Sequence, residues 1–342
     1  MKLVTYRSGG THRGAILVGD TLIDLTRAFA FFEEEAGRAP ASALVRYGEG
    51  VLGFVEHADA ARPAADGLVE LFAKGQLPDQ HDGGPLLFPV SAAKLASPLP
   101  RPPSMRDGYA FRQHVATARK NRGLEMIPEF DAFPVFYFTN HAAVIGPGEL
   151  HVQKLHMDRL DFELECAVVV GKRGRNVPAS RADELIFGFT IMNDFSARAL
   201  QMEEMKLSLG PAKGKDFATA LGPVLVTRDE LAEKATFTPR GEHHDLEMRA
   251  FVNGTQVSRG NLGDMTWTFA QILERASYGV TLYPGDVIGS GTCGTGCFLE
   301  LNGSKVTNNQ WLQKGDVVAL EIDGLGRLEN TVVVDEEREE LG

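Results

Sequence analysis

The sequence predicts an α+β, strand-rich fold: a smaller N-terminal α/β module over residues 1–96, a proline-rich linker over 97–105, and a larger β-rich domain over 106–342. Three observations point there. At 342 residues the chain exceeds the usual size of a single hydrophobic core, which favours two domains or one domain with an appendage. The stretch SPLPRPPS, Ser97 to Ser104, stiffens the backbone and denies it a helix or central strand, so it marks a boundary. Beyond it, the C-terminal third alternates short apolar runs with glycine, proline and aspartate turns and holds one clear helix.

In the N-terminal module, Leu3 to Tyr6, Ala15 to Val18 and Thr21 to Leu25 are strand candidates, the last two joined by a Gly19-Asp20 hairpin turn. Helical patterns follow at Ala28 to Glu35 and Ala65 to Phe72. After the linker, DGYAFRQHVATARKNR, Asp107 to Arg122, reads as one helix stopped by Gly123. Pro134 to Phe138 is a strand candidate. DFELECAVVV is another, with an apolar face of Phe162, Leu164, Cys166, Val168 and Val170. Ile186 to Asn193, nearly continuous apolar sequence, delivers Asp194 at its end, just before a helix over Ala197 to Lys206. Strands are then expected at Glu247 to Val252, Val287 to Ser290, Phe298 to Leu301, Val317 to Ile322 and Leu328 to Val334, with a helix from Leu262 to Ala276. GSGTCGTG, Gly289 to Gly296, is either a loop where backbone approaches a ligand closely or a long flexible hairpin.

Composition is that of an ordinary globular chain, 43% hydrophobic and 24% charged. The net charge of -11 argues against a nucleic-acid surface and against an anionic membrane, which leaves small-molecule work as the default. The start, MKLVTYRSGG, has no apolar signal core, and no apolar run is long enough to span a bilayer, so a cytoplasmic protein is expected. Cys166, Cys293 and Cys297 have no zinc-ribbon or CxxC spacing; pairing of Cys293 with Cys297 in CGTGC is one reading, and reduced, buried thiols are the one expected.

Chemistry gathers in the apolar strands. Glu163 and Glu165 share a strand face, and two carboxylates beside a buried strand repel and resist desolvation unless a cation lies between them. Asp194 would add a third oxygen of the kind Mg²⁺, Mn²⁺ or Ca²⁺ prefers. The plainer alternative is a solvated edge strand with Asp194 as a helix N-cap. Asp107 and His114, seven apart on the expected helix, would look into one cleft as a general-base arrangement, or else be a cap and a packing histidine. Arg198 and Gln201 share a face of the next helix. Lys213 and Lys215 follow in LGPAKGKDFATALGP, whose glycine spacing, without a following Ser or Thr, excludes a nucleotide phosphate loop.

From Arg106 onward the blocks RDGYAFRQH, DFELE, IFGFTIMNDFSAR, LGPAKGKDFATALGP, GSGTCGTG and DGLGRLENTV resemble, in order, those of the fumarylacetoacetate hydrolase family. The resemblance implies a mixed β-roll core with peripheral helices, a divalent cation (Mg²⁺, or Ca²⁺ or Mn²⁺) and a homodimer. By position it implies Asp107, Glu163, Glu165 and Asp194 as metal ligands and His114, oriented by Glu300, as the water-activating base. Lys215 falls beside the metal and Thr219 at a possible second metal position in the same loop. Tyr109, Tyr137, Arg198, Gln201 and Thr292 are implied as substrate contacts. Met205 stands where the family's hydrolases proper carry a tyrosine, and only Arg119 and Arg122 offer the arginine expected after His114, which counts against fumarylacetoacetate itself. The implied reaction is hydrolysis of a C–C bond in a 1,3-diketone or acylpyruvate-like 2-oxo acid. Decarboxylation, isomerisation or hydration of a 2-oxo-alkenoate, and a non-catalytic binding protein, are the alternatives.

Overall fold

The structure is a computed structural model that describes residues 1–336. Its main sheet has 13 strands. Read across, the principal path runs Leu87–Pro89, Thr21–Asp24, Thr11–Val18, Lys2–Ser8, Val224–Thr227, Ile186–Asp194, Leu164–Val170, Val287–Gly289, Met105–Gly108 and Phe136–Phe138. A five-stranded sheet, Gly148–Val152, Gly326–Val334, Val317–Ile322, Glu247–Val252 and Thr255–Asn261, packs against it. The fold is the strand-rich α+β architecture expected. Among the described residues no helix is long and apolar enough to cross a membrane.

The Leu164–Val170 strand is buried on both faces along its whole length. One face, Leu164, Cys166, Val168 and Val170, joins the core shared with the five-stranded sheet, whereas Ala167 and Val169 pack with the N-terminal helices. A strand between two cores carries apolar residues at every position, which is why its sequence reads as an unbroken run. The N-terminal segment is stitched into this sheet through pairing of Leu3 with Leu225 and Val4 with Val224.

Several local expectations are corrected. The Asp107–Arg122 helix is instead a strand, Met105–Gly108, followed by a helix over Arg112–Lys120, so Asp107 and His114 do not share a helical face. Asp107 pairs with Gly289 on one side and Tyr137 on the other, a partnership distant in sequence that overrides local helical pattern. Phe298–Leu301 is not a strand but the start of a helix, Phe298–Gly303. Its first turn is capped by the remote Asp161 carboxylate, which accepts from Phe298 N at 2.8 Å and Leu299 N at 3.0 Å. The expected Leu262–Ala276 helix begins only at Phe269, behind a capping box of Thr268 and Gln271.

The N-terminal helix Leu25–Glu35 starts where Asp24 ends the preceding strand and accepts from Arg27 N at 2.8 Å. Its Glu33 is fully buried and accepts from Arg38 at 2.6 and 2.7 Å, Ser42 at 2.7 Å and Tyr47 at 2.6 Å. The Arg38 hydrogen bonds, ahead of those from Tyr47 and Ser42, hold this carboxyl well below its ordinary value of 4.5. A depressed folded pKa stabilises the fold above the unfolded value, and that contribution is lost as pH falls below it. Glu33→Gln is therefore expected to cost about 1–3 kcal/mol in neutral urea denaturation, because it leaves buried donors imperfectly paired. The gap to the parent protein should narrow as pH drops below 4.5; a gap independent of pH would refute the assignment.

Candidate metal and active site

Four neighbouring strands carry the candidate site. Leu164–Val170 pairs antiparallel with Ile186–Asp194 and, on its other side, with Val287–Gly289, which pairs parallel with Met105–Gly108. This order brings Glu163 and Glu165, Asp194 and Asp107 together from three strands and one strand edge. One oxygen of each lies within 4.8 Å of the others, and all four residues are buried. Gly289 separates the Glu165 strand from Asp107, and a Cβ there would stand 2.4 Å from Asp107 Oδ1 and 2.8 Å from Met192 Sδ. The missing side chain at Gly289 is what lets the Asp107 carboxylate lie across the strand toward Glu165.

Hydrogen bonds satisfy only part of this cluster. Lys215 Nζ donates to Glu163 Oε2 and, at 2.6 Å, to Asp194 Oδ2, which also accepts from Tyr137 OH at 2.5 Å. Arg198 donates to Glu163 Oε1 at 2.8 Å, to Asp161 Oδ2 at 2.9 Å and to Gln201 Oε1 at 3.0 Å. Thr292 Oγ1 donates to Glu165 Oε1 at 3.2 Å, and Gly291 N donates to Asp107 Oδ1 at 3.1 Å. Glu165 Oε2 and Asp194 Oδ1 are buried without a hydrogen-bond partner.

The electrostatics divide the cluster in two. Burial, then the Asp194 charge, pushes the Asp107 carboxyl up to about 8. Burial, then the charges of Asp107, Glu163 and Asp194, raises Glu165 well above the carboxylate range. Burial would raise Glu163 too, but the adjacent Lys215 and Arg198 charges override it and hold it well below that range. Lys215 stays charged: desolvation opposes its ammonium, and Asp194 and Glu163 more than restore it. Two partnerless buried oxygens and a surplus of carboxylates over the two cations fit a hard divalent ion with oxygen ligands.

Beside this cluster, His114 Nδ1 meets Glu300 Oε2 at 2.6 Å, with both side chains buried. His114 comes from the first turn of the Arg112–Lys120 helix and Glu300 from the Phe298–Gly303 helix, which pack on each other. A charged His114 would lower Glu163 further, which places the imidazole within electrostatic reach of the carboxylates. Tyr109 stands edge-on to His114, ring centroids 5.8 Å apart.

Thus Asp107, Glu163, Glu165, Asp194, Lys215, Arg198, Tyr137, Thr292 and Gln201 form one hydrogen-bonded or contiguous group, with His114, Glu300 and Tyr109 alongside. Thr219 is buried and in register with Asp194, but no polar contact ties its hydroxyl to the cluster. Lys213 is exposed and pairs with Asp216, the solvated reading of that lysine. Sequence reasoning did not single out Asp161, Gly289 or Glu204. The Glu204 carboxylate accepts from the backbone N–H groups of Ala212 at 3.0 Å, Lys213 at 2.6 Å and Gly214 at 3.2 Å, and so holds the loop that delivers Lys215. Its only sequence signal was its place just before a glycine and proline-rich loop. The cysteines are free and buried, as expected.

A family model described as fumarylacetoacetate (FAA) hydrolase C-terminal matches residues 104–333. A Bacillus subtilis (strain 168) protein named oxaloacetate tautomerase YisK is 30% identical over 257 residues, 73% of this chain and 76% of that protein. The Homo sapiens protein named oxaloacetate tautomerase FAHD2A, mitochondrial, is 34% identical over 201 residues, 58% of this chain and 59% of that protein. Among solved structures, a fumarylacetoacetate hydrolase from Exiguobacterium antarcticum superposes with a TM-score of 0.68 at 24% identity over 98% of this chain and 100% of that one. A maleylpyruvate hydrolase from Sphingobium sp. SYK-6 superposes with a TM-score of 0.66 at 20% identity, with the same coverage. Those two likenesses are of fold.

Two measurements test the site. Burial raises Asp107 to about 8 and raises Glu165 well above its ordinary value, so ion binding must displace protons and Mg²⁺ affinity should rise as pH increases through about 8. Calorimetry in buffers of different ionisation enthalpy should register the released protons, and pH-independent affinity would count against the ligand set. Gly289→Ala should weaken Mg²⁺ binding by about 10–100-fold, because its methyl displaces the Asp107 carboxylate. Unchanged affinity in this variant would show that Asp107 is not a ligand.

Proposed function

The chain belongs to the fumarylacetoacetate hydrolase family, and we propose that within it this protein is a metal-dependent hydrolase cleaving a C–C bond of an acylpyruvate-like 2-oxo acid or 1,3-diketone. The observation that carries the proposal is the buried His114–Glu300 pair at 2.6 Å beside a four-carboxylate cluster. A divalent cation held by Asp107, Glu163, Glu165 and Asp194 would supply Lewis-acid polarisation of the substrate oxygens and offset developing enolate charge.

The chain's own groups supply the proton movements. Glu300 accepts from His114 Nδ1–H, which leaves the other ring nitrogen, Nε2, with a free lone pair and stabilises the imidazolium that forms on protonation. Nε2 takes a proton from water as its oxygen attacks the carbonyl distal to the 2-oxo acid. The Lys215 ammonium, kept charged by Glu163 and Asp194, and the Gln201 amide offset the resulting oxyanion. Collapse of that tetrahedral centre breaks the C–C bond. The electron pair goes to the 2-oxo acid fragment, His114 returns its proton to that carbon, and a carboxylic acid leaves. Tyr137, Thr292 and Arg198 bond to the carboxylates and Tyr109 faces His114, and these four are assigned to orient the ligands and the substrate.

A second reading, keto–enol tautomerisation of a 2-oxo diacid, is favoured by the relatives named oxaloacetate tautomerases. That reaction moves a proton between carbon and oxygen and needs no attacking water. Product analysis separates the two: acid plus 2-oxo acid from an acylpyruvate supports hydrolysis, whereas enol–keto interconversion of oxaloacetate without cleavage of acylpyruvates supports the second reading. For the hydrolytic reading, His114→Ala is expected to lower kcat by roughly 10²- to 10⁴-fold, the range for a general base, with Mg²⁺ affinity nearly unchanged. Substantial C–C cleavage by that variant, or loss of metal along with activity, would remove His114 from this role.

A further inference from the structure

Cys297 has no part in the chemistry above, yet its thiol lies within 4.8 Å of the His114 and Glu300 side chains. It is fully buried just before the Phe298–Gly303 helix. Its sulfur, a ring nitrogen of His114 and a carboxylate oxygen of Glu300 lie within 4.8 Å of one another, and all three residues are buried. This donor set differs in kind from its neighbour. The four carboxylates offer only hard oxygen, suited to Mg²⁺, Ca²⁺ or Mn²⁺, whereas sulfur, imidazole nitrogen and carboxylate together are a zinc-type set. Two buried clusters of opposite softness therefore lie within electrostatic reach of one another, and the softer one contains the pair assigned to proton transfer.

We propose that Cys297, His114 and Glu300 form an inhibitory site for a thiophilic divalent cation, Zn²⁺ or Cd²⁺, separate from the hard-ion site. Binding displaces the Cys297 thiol proton to solvent and leaves the thiolate on the ion, because a coordinating thiol is deprotonated outright. It also engages the Glu300 carboxylate and the lone pair of one His114 ring nitrogen, so that the ring's single proton resides on the other nitrogen and the neutral imidazole has no lone pair left to accept a proton from water. The inhibitory half of the proposal rests on His114 being the base; the binding half does not.

The test uses full-length, Mg²⁺-saturated protein titrated with Cd²⁺ and, separately, Zn²⁺. Cd²⁺ should produce a thiolate-to-metal absorption band saturating at one ion per chain. The band should vanish in Cys297→Ser and Cys297→Ala and persist in Cys293→Ser, since Cys293 lies outside the set. Zn²⁺ should inhibit turnover, and Cys297→Ser should weaken that inhibition by about 10-fold or more while leaving the Mg²⁺-dependent rate unchanged. A band without measurable acylpyruvate turnover would uphold the binding site while defeating the hydrolase reading. A band that survives Cys297→Ser, no band at all, or Zn²⁺ inhibition undiminished in both Cys297 variants would overturn the proposal.

Discussion

The structure turns on how charge is kept in its interior. Asp107, Asp161, Glu163, Glu165 and Asp194 are all withdrawn from water, while Arg198 and Lys215 are the two buried cations hydrogen-bonded to them. Such groups carry a large desolvation cost, and a missing partner is more costly than the pair is helpful. The arrangement answers that cost unevenly. Glu163 is fully partnered by Lys215 and Arg198, whereas Glu165 and Asp194 each keep a bare oxygen. Those two bare oxygens are where a divalent ion could be held.

Holding that imbalance in place explains much of the surrounding architecture. The Leu164–Val170 strand lies between two apolar cores, so the Glu165 side chain cannot swing out to solvent. Asp161 ties the same segment to the Phe298–Gly303 helix by capping it, and through Arg198 it is joined to Glu163. One side chain thus links the carboxylate cluster, Arg198 and the helix that carries Glu300. Glu204 plays a comparable part for the Lys215 loop, drawing three successive amides to one carboxylate.

The His114–Glu300 pair is built on different ground. His114 and Glu300 sit on two short helices at the rim of the sheet rather than on its strands, and they meet 186 positions apart in sequence. In the proposed mechanism, separating the base from the charged cluster lets each be tuned on its own: the strands would hold a hard ion, and the helices place an imidazole against one carboxylate. Cys297, the residue just before the Glu300 helix, lies with them, its sulfur within 4.8 Å of both.

What the sequence determined by itself was chemical type and local pattern. The apolar runs that begin with Glu163 and Glu165 and end in Asp194 marked buried strands whose charges call for a cation, and the hairpins and turns of the first 25 residues follow from their own composition. Those readings depend on neighbours within a few positions, where side-chain period and turn chemistry dominate. The tertiary structure decided what depends on remote partners. Asp107 lies in a strand, not a helix, because Gly289 and Tyr137 supply its hydrogen-bonding neighbours. Phe298–Gly303 is a helix, despite its alternating Phe-Leu-Glu-Leu, because Asp161 caps it from 137 positions away. The roles of Gly289 and Glu204 were invisible for the same reason: a glycine's value lies in what crosses it, and a carboxylate's in the amides that reach it, and both are set only when distant segments meet.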